Sequence, residues 1–262
     1  FEKKINKKYI FYICSIFLIV IVCGSLRIFL YNSKGFTNEI KVAVIQPNLD
    51  PNNKWDSGRR ETILHFMDSL HVDAINLSPD IILFPETALP VYLRLNKKTR
   101  DKFQVRVNNS NIPILIGTVD RRIDSLGRKL YFNSAIYLQP NKEFDMYDKI
   151  HLVPFAEYDL LPNLFHPLGK LNVNLHRGVF VGGEEYKIFN INNANFSDLI
   201  CYESTLPRYA RRFVKKGAEF LMIQANDGWL GKTLGPYQHF EHARLRAIEN
   251  RVPIVRSGNT GI

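Results

Sequence analysis

Cysteine is scarce in this chain of 262 residues. Cys14, Cys23 and Cys201 are its three, and two of them fall in an apolar head, so no disulfide framework ties the main body together. No dinucleotide-type glycine pattern follows the first expected strand, and no phosphate-loop signature is present, which sets aside the common nucleotide-binding readings. Zinc-finger spacing, a recognition-helix pattern and tight basic repeats are also missing. The 35 Lys and Arg against 25 Asp and Glu, a formal charge of +10, therefore do not point to nucleic acid. The basic residues gather instead in local groups at 3–8, 94–106 and 208–216, read either as solvated surface or as attraction to an anionic membrane. There is no internal repeat or low-complexity tail. Of the seven histidines, His65, His71, His166, His176 and His239 stand in no motif, and His151 and His242 are little better placed. A Cys–His pair is accordingly the weaker candidate for chemistry.

What is present begins with the head. Ile10 to Leu26 is uncharged and strongly apolar, and the run continues past Arg27 through Ile28, Phe29, Leu30 and Tyr31. About 20 helical residues cross the ~30 Å hydrocarbon core of a bilayer, and Arg27 near the far face is long enough to snorkel. Lys3, Lys4, Lys7 and Lys8 precede the run, and positive flanks stay in the cytoplasm. The expected organisation is a cytoplasmic basic flank at 1–9, a transmembrane helix at 10–31, a polar linker at 32–38, and one catalytic domain at 39–262 across the membrane. A cleaved signal peptide is the rival, weakened by the length of the run and a poor small-x-small cleavage pattern. The chain starts at Phe1 rather than Met and is expected to be a piece of a longer protein, truncated near the C-terminal end of its domain.

Beyond the head, apolar alternation and 3.6-residue periodicity take turns. Strands are expected at 39–45, 80–84, 113–119, 131–138, 186–189, 197–201, 219–224 and 253–256. Helices are expected at 59–70, 97–107, 207–217 and 237–250. Helices alternating with strands, with short β-β pairs between them, describe a layered α/β sandwich rather than a simple doubly wound sheet.

Acyl transfer needs a nucleophile, a proton acceptor and positive charge for the oxyanion. Cys201 ends an expected strand, and a thiolate both attacks carbonyls strongly and leaves readily. Glu86 closes the strand 80–84 behind Pro85, so its backbone is expected to be fixed at the edge of the core as a candidate base. The alternative is a carboxylate at the start of a helix entered at Thr87. Lys149 lies beside the apolar run Ile150–Val153, an uncommon place for a surface lysine, and Glu157 is spaced to pair with it or to hold the loop. A plain surface ion pair is the alternative there. Tyr202 and Glu203 are expected to order the nucleophile turn. From His151 to Gly183 periodicity is low, yet the stretch carries Phe155, Tyr158, Leu160, Leu161, Leu164 and Phe165. So long an irregular segment reads as functional loop that covers a pocket or meets lipid.

Phe84-Pro-Glu-Thr87, Tyr147-Asp-Lys149 with Leu152-Val-Pro-Phe-Ala-Glu-Tyr158, and Ile200-Cys-Tyr-Glu203 resemble the motifs of the nitrilase, or carbon–nitrogen hydrolase, superfamily. Val44-Ile-Gln-Pro-Asn48 with Lys54-Trp-Asp56, Asn226-Asp-Gly-Trp-Leu-Gly231, Gly235-Pro-Tyr-Gln-His239 and Ala243-Arg-Leu-Arg-Ala247 are similar to its bacterial apolipoprotein N-acyltransferase branch. The likeness runs over about residues 40 to 262.

The resemblance implies an αββα sandwich on the periplasmic face of the inner membrane. It implies an acyltransferase with a Glu-Lys-Cys triad: Glu86 as base, Lys149 as oxyanion-side cation and Cys201 as nucleophile. Glu157 would be a further essential carboxylate, with Tyr202 and Glu203 behind the nucleophile. Phe155, Tyr158, Trp229 and Leu230 are expected to contact substrate. The implied reaction is ping-pong: Cys201 takes an acyl group from a glycerophospholipid as a thioester, then passes it to the α-amine of a diacylglyceryl-cysteine on an apolipoprotein. No cofactor, no metal and no nucleic-acid partner is expected, and the protein is expected to be monomeric. If membrane helices outside this chain build part of the lipid entry path, residues 1–262 alone are expected to be slow or inactive. A nitrilase-type amidase acting on a small carbon–nitrogen substrate, and a catalytically idle lipid- or protein-binding domain, are the alternatives.

Overall fold

The computed structural model describes residues 7–33, 39–51, 53–154, 156–158 and 180–261. They fall into two compact units, 1–39 and 40–262. The first holds helix α1, Lys7–Ser33. Its stretch Lys7–Leu30 is long and apolar enough to cross a membrane, and at ~1.5 Å per residue the helix exceeds a ~30 Å bilayer core. It starts three residues ahead of the apolar run because Lys7, Lys8 and Tyr9 contain no helix breaker, and lysine is a good helix former.

The second unit is two sheets packed face to face. The first contains β1 (Val42–Val44), β2 (Ile81–Leu83), β3 (Ile114–Ile123), β4 (Lys129–Leu138) and β5 (Asp145–Asp148), in that order. β1, β2 and β3 are parallel, and β3–β4–β5 continue antiparallel. The second contains β6 (Phe189–Ile191), β7 (Ala194–Ile200), β8 (Phe220–Ala225) and β9 (Ile254–Gly258), with β7, β8 and β9 parallel.

Period-2 alternation sorts the strand side chains into two cores. Ile81, Leu83, Leu115 and Tyr137 point between the sheets and meet Phe196, Leu199, Leu221 and Ile223. Their neighbours Ile82, Phe84, Ile114 and Ile116 point outward to α2 (Arg60–Asn76) and α3 (Lys97–Ser110) through Ile63, Met67, Phe103 and Val107. On the far side, α4 (Pro207–Lys215) packs through Tyr209, Ala210 and Phe213, and α5 (Gly235–Asn250) through Ala243. The layers are therefore αββα.

The strand expected at 186–189 lies instead at Phe189–Ile191. Asn192 and Asn193 both adopt positive φ, 46° and 64°, the geometry of a tight two-residue hairpin turn that sets the pairing of β6 with β7. β5 was not anticipated: four residues ending in Asp at both sides offer no apolar run.

Candidate active site

The chemistry-bearing side chains sit at or just past the carboxyl ends of strands, where open parallel sheets leave room for ligands. Glu86 follows β2, Lys149 follows β5, Cys201 follows β7 and Asp227 follows β8. Lys149 is the centre of one cluster. Its buried Nζ donates to Glu157 Oε1 at 2.9 Å and to Glu86 Oε1 at 3.4 Å. Asn133 Nδ2, from β4, bridges the same two oxygens at 3.0 and 2.8 Å, and Val153 N–H donates to Glu157 Oε2 at 2.7 Å. Burial disfavours the Lys149 ammonium, but Glu157, Glu86 and Cys201 outweigh it and hold the group charged, above the ordinary lysine range. Glu157 is the reciprocal case: burial raises it, while Lys149 and the Val153 N–H pull it below the carboxylate norm.

Cys201 is partly buried and opens a 3₁₀ turn, Cys201–Thr205. Its φ is +50°, an uncommon state for a side chain with a Cβ, costing about 1–3 kcal/mol and found mostly where function demands it. Burial and the Glu86 charge push the thiol well up, with Lys149 opposing them. Glu203 ties the two halves together. Its carboxylate accepts from Ile200 N at 2.8 Å, Ile150 N at 2.7 Å, His151 N at 3.1 Å and the Tyr147 hydroxyl at 2.8 Å, so one buried side chain joins the turn bearing Cys201 to the segment bearing Lys149. Burial pushes Glu203 up to about 7 against the pull of those donors.

The expectation of an enzyme built on a Glu-Lys-Cys triad is corrected here. The cluster gathered at the thiol is Cys201, Asp227 and His239, one polar or sulfur atom of each lying within 4.8 Å of the others. His239 Nδ1 is 2.6 Å from Asp227 Oδ1, and its Nε2 is 2.8 Å from Ser204 Oγ and 3.0 Å from the Cys201 carbonyl oxygen. Arg256, in β9, donates to Asp227 Oδ2. Sequence reasoning passed over His239 as a histidine without context. The signal available was its place closing Gly235-Pro-Tyr-Gln-His239, on the helix that packs against the Cys201 turn. By residue type this trio is one that could hold a metal ion, but its ring nitrogens and carboxylate oxygens are already occupied by hydrogen bonds.

Two further residues were missed as site components. Asn133 lies in the middle of a strand with nothing in its local pattern to mark it. Lys54, which in the sequence belongs only to Lys54-Trp-Asp56, is buried, reaches Thr87 Oγ1 at 3.4 Å, and is pushed down to about 8 by burial against the pull of Glu86. Tyr202 is half-buried and stacks on His151 at 5.8 Å. Tyr158 is half-buried and pairs with Pro154, whereas Trp229 and Leu230 are 39% and 44% exposed. Phe155, and the apolar loop residues 160–165, lie outside the described residues.

Residues 41–262 match the family model described as carbon-nitrogen hydrolase. An apolipoprotein N-acyltransferase of Geobacter metallireducens is 34% identical over 225 residues, covering 85% of this chain and 42% of that protein. One of Pasteurella multocida is 34% identical over 243 residues, covering 88% and 45%. The chain thus spans less than half the length of these curated relatives. Among solved structures, an amidase from Nesterenkonia sp. superposes with a TM-score of 0.59 at 16% identity, covering 86% of this chain and 77% of its own. A carbon-nitrogen hydrolase from Helicobacter pylori gives 0.59 at 16%, covering 84% and 73%. At such identity these structures establish the fold, which is that of the nitrilase superfamily. Fold, relatives and thiol cluster support a cysteine-based hydrolase or transferase reaction in a membrane-associated protein. The chain belongs to the carbon–nitrogen hydrolase family, among relatives that bear the name apolipoprotein N-acyltransferase.

Proposed function

We propose that this chain carries the catalytic domain of a membrane-bound N-acyltransferase, with a glycerophospholipid as donor and the α-amine of an apolipoprotein's diacylglyceryl-cysteine as acceptor. The observation that carries the reading is a partly buried thiol on a strained turn, beside a lysine kept charged by two carboxylates, in a chain headed by a helix able to span a bilayer. Both substrates are lipids, which gives an enzyme fixed in the membrane direct access to them.

In the first half-reaction Cys201 loses its proton, the sulfur attacks the ester carbonyl, and the acyl–oxygen bond breaks to leave a lysophospholipid and a thioester. In the second the amine attacks the thioester, the carbon–sulfur bond breaks, and an amide and the free thiol result. Lys149 supplies fixed positive charge near the developing oxyanion, where preorganised charge is worth most, and Glu157 holds it in place. The hydrogen bonds that Glu86 accepts from Asn133 and Lys149 both land on Oε1. Among the described residues Oε2 accepts none; the thiol proton leaves with the lysophospholipid hydroxyl, and the proton released by the amine returns to the thiol. Tyr158, Trp229 and Leu230, with Phe155, are assigned to the acyl chain. The basic flank at 1–9 is assigned to the cytoplasm, 10–31 to the membrane, 32–38 to a linker and 39–262 to a periplasmic, monomeric catalytic domain.

The test is intact mass after incubating the detergent-solubilised protein with phosphatidylethanolamine, beside a Cys201→Ala control. An acyl adduct that hydroxylamine removes, that the control lacks, and that a diacylglyceryl-cysteine peptide discharges as an N-acylated product is the expected result. A folded protein that forms no adduct yet hydrolyses small amides would replace this reading with an amidase.

A further inference from the structure

Cys201 is held by its own carbonyl as well as by its neighbours in sequence. That oxygen accepts from Ser204 Oγ at 2.7 Å and lies 3.0 Å from His239 Nε2. Ser204 and His239 also bond each other at 2.8 Å, so the three groups close a ring around the nucleophile's backbone. Behind His239 stands Asp227, its Oδ1 on the ring Nδ1 and its Oδ2 on Arg256. All four side chains are nearly or fully buried, with Ser204 at 0% exposure, Asp227 at 2% and His239 at 7%, and the Arg256 side chain at 7%. A second α5 residue, Arg246, fastens the other end of the same turn by donating to the Thr205 carbonyl at 3.0 Å.

This arrangement separates two roles for the histidine. A base for Cys201 would aim a ring nitrogen at the sulfur. Here Nδ1 is taken by a carboxylate and Nε2 by the Cys201 carbonyl and the Ser204 hydroxyl. With a proton on Nε2 the ring donates to the nucleophile's carbonyl; without one it only accepts from the Ser204 hydroxyl, and in neither case is a ring nitrogen hydrogen-bonded to the sulfur. The backbone at that point needs holding: Cys201 has φ +50°, and relaxation to negative φ would move Sγ from its present position.

We propose that Asp227, His239 and Ser204 form a positioning clamp, anchored by Arg256, that holds Cys201 in its left-handed conformation and so aims the thiol. The inference rests on Cys201 being the nucleophile, but not on the identity of the acyl donor. His239 is on this account a positioning residue, acting through the Cys201 carbonyl.

The experiment measures acylation of the detergent-solubilised protein by p-nitrophenyl butyrate, which requires no lipid recognition, alongside phosphatidylethanolamine. His239→Ala is expected to lower the maximal acylation rate by about 10²-fold, the scale of a misaimed reacting group, with the concentration for half-maximal rate unchanged. His239→Gln, whose amide can still donate to the carbonyl, is expected to recover most of the rate with the wild-type pH profile. Ser204→Ala, a smaller change, keeps the test open should His239→Ala fail to fold, and is expected to show the same split in a milder form. Loss of rate in His239→Gln as deep as in His239→Ala, or disappearance of the acidic limb of its pH profile, would make His239 a base and overturn the clamp. Wild-type rates in His239→Ala or in a folded Ser204→Ala would overturn it as well. Wild-type acylation by the butyrate ester but not by phospholipid would sink the proposed donor and leave the clamp to be judged on its own variants. No Cys201 acylation by either would overturn both.

Discussion

Gly117 controls where Glu86 stands, and Gly117→Ala tests that directly. A Cβ at this β3 position would lie 2.4 Å from the Pro85 carbonyl oxygen, 2.7 Å from Thr87 N and 2.8 Å from Glu86 Cα. All three are backbone atoms, so no side-chain rotation relieves the overlap. With contact normal near ~3.5 Å, the Pro85–Thr87 segment has to retreat by roughly 0.5–1 Å. It cannot retreat freely, because Gln224 Nε2 holds the Phe84 carbonyl at 2.7 Å and Ala88 N–H bonds the Gly117 carbonyl at 2.7 Å. The displacement therefore falls on Glu86, whose contact with Lys149, at 3.4 Å, is already at the limit of hydrogen bonding. Misplacement of this size costs about 10²-fold in rate, and the overpacking itself about 1–3 kcal/mol, or a melting point lower by about 3–10 °C. The assay is the rate of hydroxylamine-sensitive acyl adduct formation on Cys201, with a thermal melt on the same sample. A folded Gly117→Ala protein that acylates at the wild-type rate would refute the placement of Glu86 as a demand of the chemistry.

Lys149→Met leaves Glu86 and Glu157 buried without their cation. A loss of about 3–5 kcal/mol is expected, as for other half-broken buried pairs, measured by denaturant unfolding. Adding Glu157→Gln should recover part of that stability and none of the acylation. A different effect is expected from His71, fully buried, stacked on Phe103 at 5.3 Å, and with neither ring nitrogen hydrogen-bonded among the described residues. Burial, helped by the Arg106 charge, pushes it down to about 4. The unfolded chain then binds more protons between about pH 4 and 6.5, so the stability present above pH 6.5 is lost as pH falls through that window, by about 3 kcal/mol at most. His71→Leu should flatten this slope, and an unchanged acid slope in the variant would assign it to another group.

Fold and site were legible to different depths for physical reasons. Ile81–Phe84 reads as a strand because it is buried on both faces, and a two-sided core leaves a continuous apolar run; α2 and α5 read as helices because each buries one stripe. β5 could not be read, since its four residues owe their conformation to pairing with β4 rather than to their own propensity. Glu86, Lys149, Glu157 and Cys201 stood out through their place beside strands and prolines, and the structure brings the first three into one hydrogen-bonded cluster. Asn133, His239 and Asp227 did not stand out. Each becomes part of the site only through a partner far along the chain, 47 residues away for Asn133 and Glu86 and 38 for His239 and the Cys201 carbonyl.

That difference follows from how the site is divided between the sheets. The charged cluster around Lys149 belongs to the first sheet, and Cys201 with its clamp belongs to the second. Neither sheet can set the distance between them alone. Glu203 does so by accepting from Ile200 on one side and from Tyr147, Ile150 and His151 on the other, within a core where Tyr147 and Phe213 pack at 5.6 Å. A carboxylate buried at the junction of two hydrophobic layers is costly unless its oxygens are fully engaged, and here they accept from three backbone N–H groups and a phenol. The same bonds that make the buried charge tolerable therefore fix Lys149 against Cys201, so the relative position of cation and thiol is set by the packing of the whole domain rather than by any loop that carries them.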